Sequence, residues 1–433
     1  MLNETHDPEL KSWVDSADRP GSDFPIQNLP HGVFRRKGCD EAFRGGVAIG
    51  DMVLDLPAAC AAGVFSGLAR DAAEMAGAST LNALMSMGPT AWSSLRMRLS
   101  ELLRIGAPEA QALHSCLFSQ ASVEYALPAQ IGNYTDFFTS YHHMMNAGRI
   151  FQPDNAELPN FKWLPIAYHG RASSVEVSGA SFHRPLGQTR APGAAAPAFG
   201  ATQRLDYEME LGFWVGPGNV RGEPIAIDDA ENHIFGVSLF NDWSARDVQG
   251  WESMPLGPFL AKNFLSTVSP WIVTLEALEP FRCPIPREAG DPPAFAHMNP
   301  ANPNQAFDVE LEVWLKTAHS SNAMRLSRSS FRHCYWSMAQ MLTHHTEGGC
   351  NLKPGDLLGT GTQSGPAEGE QGCLLELGHG GKKPVQLPNG ETRSFLEDGD
   401  TVTLRAWGHK AGAARIGFGE CSGTVLSARR ASP

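Results

Sequence analysis

The sequence predicts a mainly β protein with an α+β part at its N-terminus. From Val123 almost to the C-terminus, short apolar runs alternate with Gly/Pro turns, a pattern typical of all-β domains. Before Val123, a β-type hairpin is followed by segments rich in Ala, Leu, Met and Arg with helical spacing. A chain of 433 residues is long enough for two domains, which we place at residues 1–122 and 123–433.

The local patterns give each part its expected elements. Residues 46–56 form two β-type runs around Gly50-Asp51, which predicts a hairpin. Residues 69–86 and 90–120 are predicted helices. In the β region, residues 190–201 are rich in Ala, Pro and Gly and are expected to form a loop. The clearest helix of that region is expected at residues 330–343.

Charge and cysteine usage exclude several classes of protein. The formal net charge is −12, with no basic block, so a nucleic-acid partner is not expected. The eight cysteines are scattered without a Cys-x-x-Cys pair, which argues against a structural zinc site and fits a reducing cytoplasm. No apolar stretch is long enough to predict a membrane span, and the first residues are too polar for an export signal.

The segment from Leu205 to Gly216 is the most informative one for function. It has the aromatic, apolar character of a strand and ends in Gly216-Pro217-Gly218. Because side chains alternate along a strand, Glu208 and Glu210 are expected to point the same way. Two buried carboxylates repel each other, and a hard divalent cation would resolve that repulsion. The alternative interpretation is a solvent-facing edge strand with one wet face.

Two further polar clusters supply carboxylates at Asp136 and Asp242. A cation held by carboxylates and water is hard, which favours Ca²⁺ or Mg²⁺ over zinc. Taken alone, Asp136 is better explained as a turn or cap residue, and Asp242 is ambiguous for the same reason. His143 lies near the first cluster, and alone it is more often a packed or surface histidine than a base.

Long motifs then make the chain resemble the fumarylacetoacetate hydrolase family over nearly its full length. They include Tyr168-His169-Gly170-Arg171-Ala172-Ser173-Ser174, Asn241-Asp242-Trp243-Ser244-Ala245-Arg246-Asp247, Pro255-Leu256-Gly257-Pro258-Phe259-Leu260 and Arg415-Ile416-Gly417-Phe418-Gly419. The resemblance implies an SH3-like barrel at the N-terminus, a mixed β-roll catalytic domain and a homodimer. It also implies cleavage of a carbon–carbon bond in a 1,3-diketo acid, as in the hydrolysis of 4-fumarylacetoacetate during tyrosine and phenylalanine catabolism.

The resemblance also implies roles for individual residues. Active-site calcium would be bound by Asp136, Glu208, Glu210 and Asp242. His143 would be the general base, oriented by Glu376, while Arg246, Gln249 and Lys262 would surround the developing oxyanion. A second ion, Mg²⁺, would use Asp242, Lys262 and Ser266, partly through backbone oxygens. Mn²⁺ shares these oxygen ligands and is not separated from the other ions by residue type.

The substrate-binding positions depart from the family pattern. The resemblance places substrate contacts at Phe138, Gln152, Tyr168, Gln249, Ser253 and Thr362. The family has Tyr, Arg and Tyr where this chain has Phe138, Gln152 and Ser253. Losing an arginine removes a bidentate carboxylate clamp, so we expect an altered substrate preference unless a neighbour such as Arg149 compensates.

Three functional hypotheses remain open at the level of sequence. The first is a metal-dependent carbon–carbon hydrolase that acts on fumarylacetoacetate or another acylpyruvate-type diketo acid. The second is an oxo-acid decarboxylase or hydratase of the same family, against which the His143–Glu376 pair argues. The third is a non-catalytic protein on an inherited fold; buried charges without a function would cost such a protein stability.

Overall fold

A five-stranded antiparallel sheet organises the N-terminal part of the chain. The structure is a computed structural model and describes residues 2–429. The strand order of this sheet is β4-β3-β2-β1-β5. Its strands are β1 (His31–Arg36), β2 (Arg44–Ile49), β3 (Met52–Asp55), β4 (Leu117–Ser119) and β5 (Val123–Ala126).

Helices pack against this sheet between β3 and β4. They are α1 (Leu56–Ala61), α2 (Gly67–Ala76), α3 (Asn82–Ser86), α4 (Pro89–Leu103) and α5 (Ala110–Leu113). The predicted hairpin is confirmed as β2 and β3. The predicted helix over residues 90–120 is wrong in its last part, because α4 ends at Leu103 and Leu117–Ser119 forms β4 against β3. Pairing with an open sheet edge overrides the helical pattern there.

An eight-stranded mixed sheet is the centre of the second part, with the order β7-β6-β22-β13-β14-β16-β8 and β17 beside β14. Its strands are β6 (Tyr134–Phe138), β7 (Ile166–His169), β8 (Val175–Val177), β13 (Met209–Val215), β14 (Ile234–Asn241), β16 (Ser266–Val268), β17 (Val273–Thr274) and β22 (Leu357–Gly359).

A five-stranded sheet, β21-β20-β25-β26-β9, packs against the eight-stranded sheet. Its strands are β9 (Ala180–His183), β20 (Val309–Lys316), β21 (Met324–Ser330), β25 (Thr401–Gly408) and β26 (Ile416–Leu426). Short two-stranded pairs complete the β structure: β10 (Leu186–Thr189) with β11 (Ala198–Ala201), β12 (Leu205–Asp206) with β15 (Ser244–Ala245), β18 (Arg282–Cys283) with β19 (Ala306–Phe307), and β23 (Val385–Gln386) with β24 (Thr392–Arg393).

The second part contains short helices, and they carry much of the candidate site. They are α6 (Tyr141–Phe151), α7 (Arg246–Glu252), α8 (Met338–Glu347) and α9 (Leu374–Leu377). The helix expected at residues 330–343 is displaced to α8, since the Ser337 side chain caps its first turn. The loop expected at residues 190–201 is in part a strand, because Ala198–Ala201 pairs with β10.

Both faces of the eight-stranded sheet are buried, which fixes the surroundings of the candidate site. On β13, Leu211 and Phe213 lie in the core shared with the second sheet and α8. Trp214 instead lies in the core shared with the N-terminal helices. The chain is therefore mainly β, with a curled N-terminal sheet. Among residues 2–429, no helix is both long and apolar enough to cross a membrane.

Candidate active site

Four carboxylates converge at one end of the eight-stranded sheet. Asp136 comes from β6, Glu210 from β13, Glu208 from the link before β13, and Asp242 from the residue after β14. Their ligand oxygens all lie within 4.8 Å of one another. Glu208 is 5% exposed in the link before β13, and Glu210 is 0% exposed on β13, which is paired on both sides. The wet edge strand is therefore the wrong interpretation, and the convergence of the two glutamates is confirmed.

Gly359 makes room for this convergence. It lies on β22 between β6 and β13, opposite Asp136 and Gly212. A Cβ atom at Gly359 would lie 2.7 Å from Asp136 Oδ1 and 3.1 Å from Glu210 Oε2. Two residues later, the backbone N–H of Gly361 donates to Glu210 Oε2 at 2.9 Å. The close approach of the two carboxylates thus needs a residue without a side chain at position 359.

The electrostatics of the cluster set Asp136 and Glu210 apart from Glu208. Burial, followed by the charge of Asp242, raises the pKa of Asp136 well above its usual value. Burial and the charge of Asp136 do the same to the pKa of Glu210. Burial alone would also raise the pKa of Glu208, but the cations of Lys262 and Arg246 outweigh it and lower that pKa. The charge of Lys262 also acts on Asp136 and Glu210, but it does not outweigh burial and the neighbouring carboxylates.

A divalent cation fits the residues present. Asp136 Oδ1 and Glu210 Oε1 are buried and have no hydrogen-bond partner among the described atoms. Buried acceptors normally find a donor or an ion, so these two oxygens point to a missing positive ligand. An all-carboxylate donor set is hard and suits Ca²⁺ or Mg²⁺.

Asp242 is held by three donors on its other side. Lys262 Nζ donates to Asp242 Oδ2 at 2.6 Å and lies 2.8 Å from Glu208 Oε1. Ser266 Oγ donates to Asp242 Oδ1 at 2.7 Å, and Tyr168 Oη donates to Oδ2 at 2.8 Å. Asp242, Lys262 and Ser266, which the sequence predicted to share a second ion site, are thus brought together by direct hydrogen bonds. Because a lysine ammonium cannot ligate a cation, Lys262 could bind the second ion only through its backbone oxygen. Ser266 offers a backbone oxygen as well as its hydroxyl.

The histidine and glutamate predicted as a catalytic pair are in contact. His143 Nδ1 lies 2.7 Å from Glu376 Oε2, and both side chains are buried. Burial would raise the pKa of Glu376, but the adjacent His143 and the hydrogen bonds from His143 and Asn146 hold it below its usual value. Since a carboxylate only accepts, Nδ1 carries the proton and Nε2 is the free nitrogen.

Several residues around Glu376 were missed by sequence reasoning. Asn146 Nδ2 donates to Oε1 at 2.9 Å, while Ser364 Oγ and Cys373 Sγ donate to Oε2 at 2.9 and 3.1 Å. Asn146 lies one helical turn after His143, a spacing that the sequence does show. Ser364 and Cys373 lie far along the chain from His143, so no local pattern identifies them.

Arg246 donates to the carboxylates of Asp206 and Glu208, which lie two positions apart in the chain. Its Nη1 donates to Glu208 Oε1 at 2.5 Å, and its Nε donates to Asp206 Oδ2 at 3.0 Å. Gln249 Oε1 accepts from the same Nη1 at 3.3 Å. Arg246 thus contacts Glu208, and Gln249 contacts Arg246; their expected role around an oxyanion stays a prediction. Asp206 is a further member of this group that no sequence pattern singled out.

The predicted substrate contacts are spread around this centre. Phe138 packs edge-on against the His143 ring, with 5.2 Å between the ring centroids. Thr362 is buried, and its Oγ1 has no hydrogen-bond partner among the described atoms. Ser253 Oγ instead donates to the Gln249 carbonyl at 2.6 Å, and Gln152 is exposed where α6 ends.

A cavity of about 860 Å³ opens beside Glu376 and Asn146. Basic side chains line it, among them Arg149 and Lys382. Arg149 Nη1 donates to Asn146 Oδ1 at 3.4 Å. Arg149, considered as a replacement for the missing arginine, therefore lines this cavity and contacts Asn146, which in turn donates to Glu376.

Taken together, the fold and the site define a class: an enzyme with a buried carboxylate cluster that could hold a cation, beside an oriented histidine. Family models match both parts of the chain. The model described as "Fumarylacetoacetate (FAA) hydrolase C-terminal" matches residues 133–426, and "Fumarylacetoacetase N-terminal" matches residues 27–128.

Whole-chain comparisons agree with the family models. Fumarylacetoacetase from Oryza sativa subsp. japonica is 48% identical over 97% of this chain and 98% of its own length. Fumarylacetoacetase from Homo sapiens is 48% identical over 94% of this chain and 97% of its own. The chain therefore belongs to the fumarylacetoacetate hydrolase family and is a hydrolase.

A solved structure shares the fold. Fumarylacetoacetate hydrolase from psychrophilic Exiguobacterium antarcticum superposes with a TM-score of 0.51 at 19% identity, covering 93% of this chain and 100% of that one. At this identity the likeness concerns the fold alone.

Proposed function

We propose that this protein hydrolyses a carbon–carbon bond in a 1,3-diketo acid, with 4-fumarylacetoacetate as the first candidate and fumarate and acetoacetate as the products. The observation that carries the proposal is the 2.7 Å contact between His143 Nδ1 and Glu376 Oε2 beside four converging carboxylates. The near-full-length relatives named fumarylacetoacetase support the same reaction.

The side chains account for proton transfer. His143 Nε2 takes a proton from water, and Glu376 fixes the tautomer and stabilises the resulting imidazolium. The hydroxide adds to the carbonyl carbon, and the carbon–carbon bond then breaks. The departing carbon takes up a proton, and the one held on His143 balances the reaction.

Positively charged and polar groups stabilise the alkoxide formed by that addition. Lys262, Arg246 and Gln249 lie together beside Glu208. One well-placed donor to such an oxyanion contributes about 3–4 kcal/mol. Burial lowers the pKa of Lys262, but Asp242 and Glu208 outweigh this effect and raise it above its usual value, so the ammonium remains a donor.

We propose Ca²⁺ as the active-site ion, held by Asp136, Glu208, Glu210 and Asp242. When bound, a hard cation polarises a substrate carbonyl and stabilises enolate charge. A second ion, Mg²⁺, would be held through Asp242 and backbone oxygens at Lys262 and Ser266, with Mn²⁺ an alternative at either site. Metal analysis of the purified protein, followed by chelation and reloading with each ion, tests these assignments.

The finer architecture and setting are also proposals. The division into two parts at residues 122 and 123 is one of these proposals. The N-terminal sheet includes β5 (Val123–Ala126) and so extends four residues past that division, and residues 1 and 430–433 lie outside the described residues. We propose that the curled N-terminal sheet is an SH3-like barrel and the second part a mixed β-roll. We further propose a homodimer in the cytoplasm, and the eight free cysteines fit a reducing compartment.

The substrate preference depends on Phe138, Gln152 and Ser253. Phe138 offers no hydroxyl to a substrate, and Ser253 uses its hydroxyl on the Gln249 carbonyl. We propose that the preferred diketo acid lacks a distal carboxylate or carries it where Arg149 can reach. A panel of diketo acids, with product analysis, tests both levels of the proposal. Faster turnover of fumarylacetoacetate than of any alternative would contradict the altered preference, while release of carbon dioxide would contradict the hydrolase.

A further inference from the structure

We propose that Asp206 is a positioning residue that couples the catalytic pair to the cation-binding carboxylates. One buried carboxylate contacts both the turn that carries Glu376 and the guanidinium that contacts Glu208. The inference rests on the proposed function, since it concerns the same site.

The first half of the coupling is backbone capping of α9. The N–H of Leu374 donates to Asp206 Oδ1 at 2.8 Å, and the N–H of Leu375 donates to Oδ2 at 2.9 Å. Glu376 is the next residue after these two donors. Because α9 has only four residues, the two bonds fix the position of the turn from which Glu376 reaches His143.

The second half of the coupling runs through Arg246. Asp206 Oδ2, which accepts from Leu375, also accepts from Arg246 Nε at 3.0 Å. The Nη1 of the same guanidinium donates to Glu208 Oε1. A planar guanidinium held at Nε has a defined orientation, so Asp206 determines the direction in which Arg246 presents Nη1 to Glu208.

The chemistry of these contacts requires a carboxylate. Both oxygens of Asp206 accept from N–H donors, and the side chain is 0% exposed. In an asparagine of the same shape, one of these positions becomes an NH₂ group that faces an N–H donor. Either the α9 turn or Arg246 must then shift, so a change at Asp206 reaches both halves of the site.

The test compares Asp206→Asn with a matched control. Asp400 is also 0% exposed, accepts from Arg393 Nε at 2.9 Å and from the Glu397 N–H at 2.8 Å, and contacts none of the site residues named above. We expect D206N to lower kcat by about 10- to 100-fold, the usual range for residues that orient ligands, with a smaller change in KM. We expect D400N to leave kcat within about twofold of the wild-type value, since mutations away from the site act chiefly on stability.

A double variant separates positioning from general structural damage. Because Asp206 acts partly through Glu376, D206N should lower kcat by a smaller factor in the Glu376→Gln background than in the wild-type protein. Calcium titration gives a readout independent of turnover, and we expect D206N, but not D400N, to bind Ca²⁺ more weakly. Losses in kcat that multiply in the double variant, or equal calcium affinity in D206N and D400N, would overturn the inference.

Failure of the proposed function and failure of the role of Asp206 would give different results. If the wild-type protein turns over no diketo acid, the proposed function fails, while the calcium titration still decides the role of Asp206. If D206N does not fold, Asp206→Ser, which keeps one acceptor oxygen, replaces it in the same measurements.

Discussion

At the scale of single residues, the absence of a side chain at Gly359 allows Asp136 and Glu210 to approach each other closely. A Cβ there would lie 2.7 Å from Asp136 Oδ1, closer than such contacts occur in proteins. We expect Gly359→Ala to separate the two carboxylates and to weaken calcium binding by at least about tenfold, which corresponds to about 1.4 kcal/mol. Isothermal titration with Ca²⁺ measures this directly.

Gly200 offers the matched control for that substitution. It also lies on a strand, and a Cβ built there has no heavy atom within 4 Å. Gly200→Ala should bind calcium as the wild-type protein does. Equal calcium affinities for G359A and the wild-type protein would show that the cluster tolerates a side chain on β22.

The histidine of the catalytic pair gives the second prediction at this scale. We expect His143→Ala to lower kcat by about 10²- to 10⁴-fold, because the only oriented base in the proposed mechanism is removed. His142 precedes it on α6 and contacts the His333 ring instead, so His142→Ala is the control and should keep most of its activity. Comparable losses in the two variants would rule out His143 as the specific base.

At the scale of elements, the first turn of α6 determines where His143 lies. The Ser140 side chain accepts from the His143 N–H at 3.2 Å and donates to the Ser364 carbonyl at 3.1 Å. Ser140→Ala should cost about 1 kcal/mol of stability as a lost helix cap. We also expect kcat to fall by about 10- to 100-fold, because a misplacement of about 1 Å can cost that much.

A second helix cap separates stability from catalysis. Ser337 caps α8 by accepting from the Gln340 N–H at 3.2 Å. Both capping serines are buried, since Ser337 is 4% exposed and Ser140 is 0% exposed. Ser337→Ala should lose a similar amount of stability, measured by urea unfolding, with little change in kcat. If both variants lose kcat equally, then the cap of α6 has no special role in placing the base.

Elements also show where local patterns stop being informative. Strand alternation was enough to predict that Glu208 and Glu210 converge, because the two residues lie on one short segment. The helical pattern of residues 90–120 did not predict β4, since the edge of β3 that Leu117–Ser119 pairs with lies far away in the chain. The helical pattern depends only on residues within the segment, whereas strand pairing depends on which distant strand the fold places beside it.

At the scale of the whole molecule, the same distinction separates the predicted from the missed site residues. Residue patterns pointed to the four carboxylates, and the family resemblance assigned roles to Lys262 and to the His143–Glu376 pair. Asp206 and the α9 amides are 168 residues apart in the chain, and only the fold brings them together. Gly359 was missed for the same reason, because its need to be glycine arises from carboxylates on two other strands.

The assembled molecule also predicts how calcium binding depends on pH. Asp136 and Glu210 have raised pKa values in the metal-free fold. A group with a raised folded-state pKa stabilises the fold below its unfolded-state pKa, and that contribution is lost as the pH rises through the folded-state value. The metal-free protein should therefore lose stability as the pH rises above about 4, the usual pKa of these carboxyl groups in the unfolded chain.

Calcium reverses this trend, because a cation favours the charged carboxylates and expels their protons. At a pH where Asp136 and Glu210 still hold their protons, calcium binding should release them, which appears as a binding enthalpy that changes with the ionisation enthalpy of the buffer. The increase in Tm on adding calcium should grow with pH, since fewer protons must then be displaced. Asp136→Asn should reduce the number of protons released. A binding enthalpy that is the same in every buffer for the wild-type protein would instead mean that the carboxylates are already ionised before calcium binds.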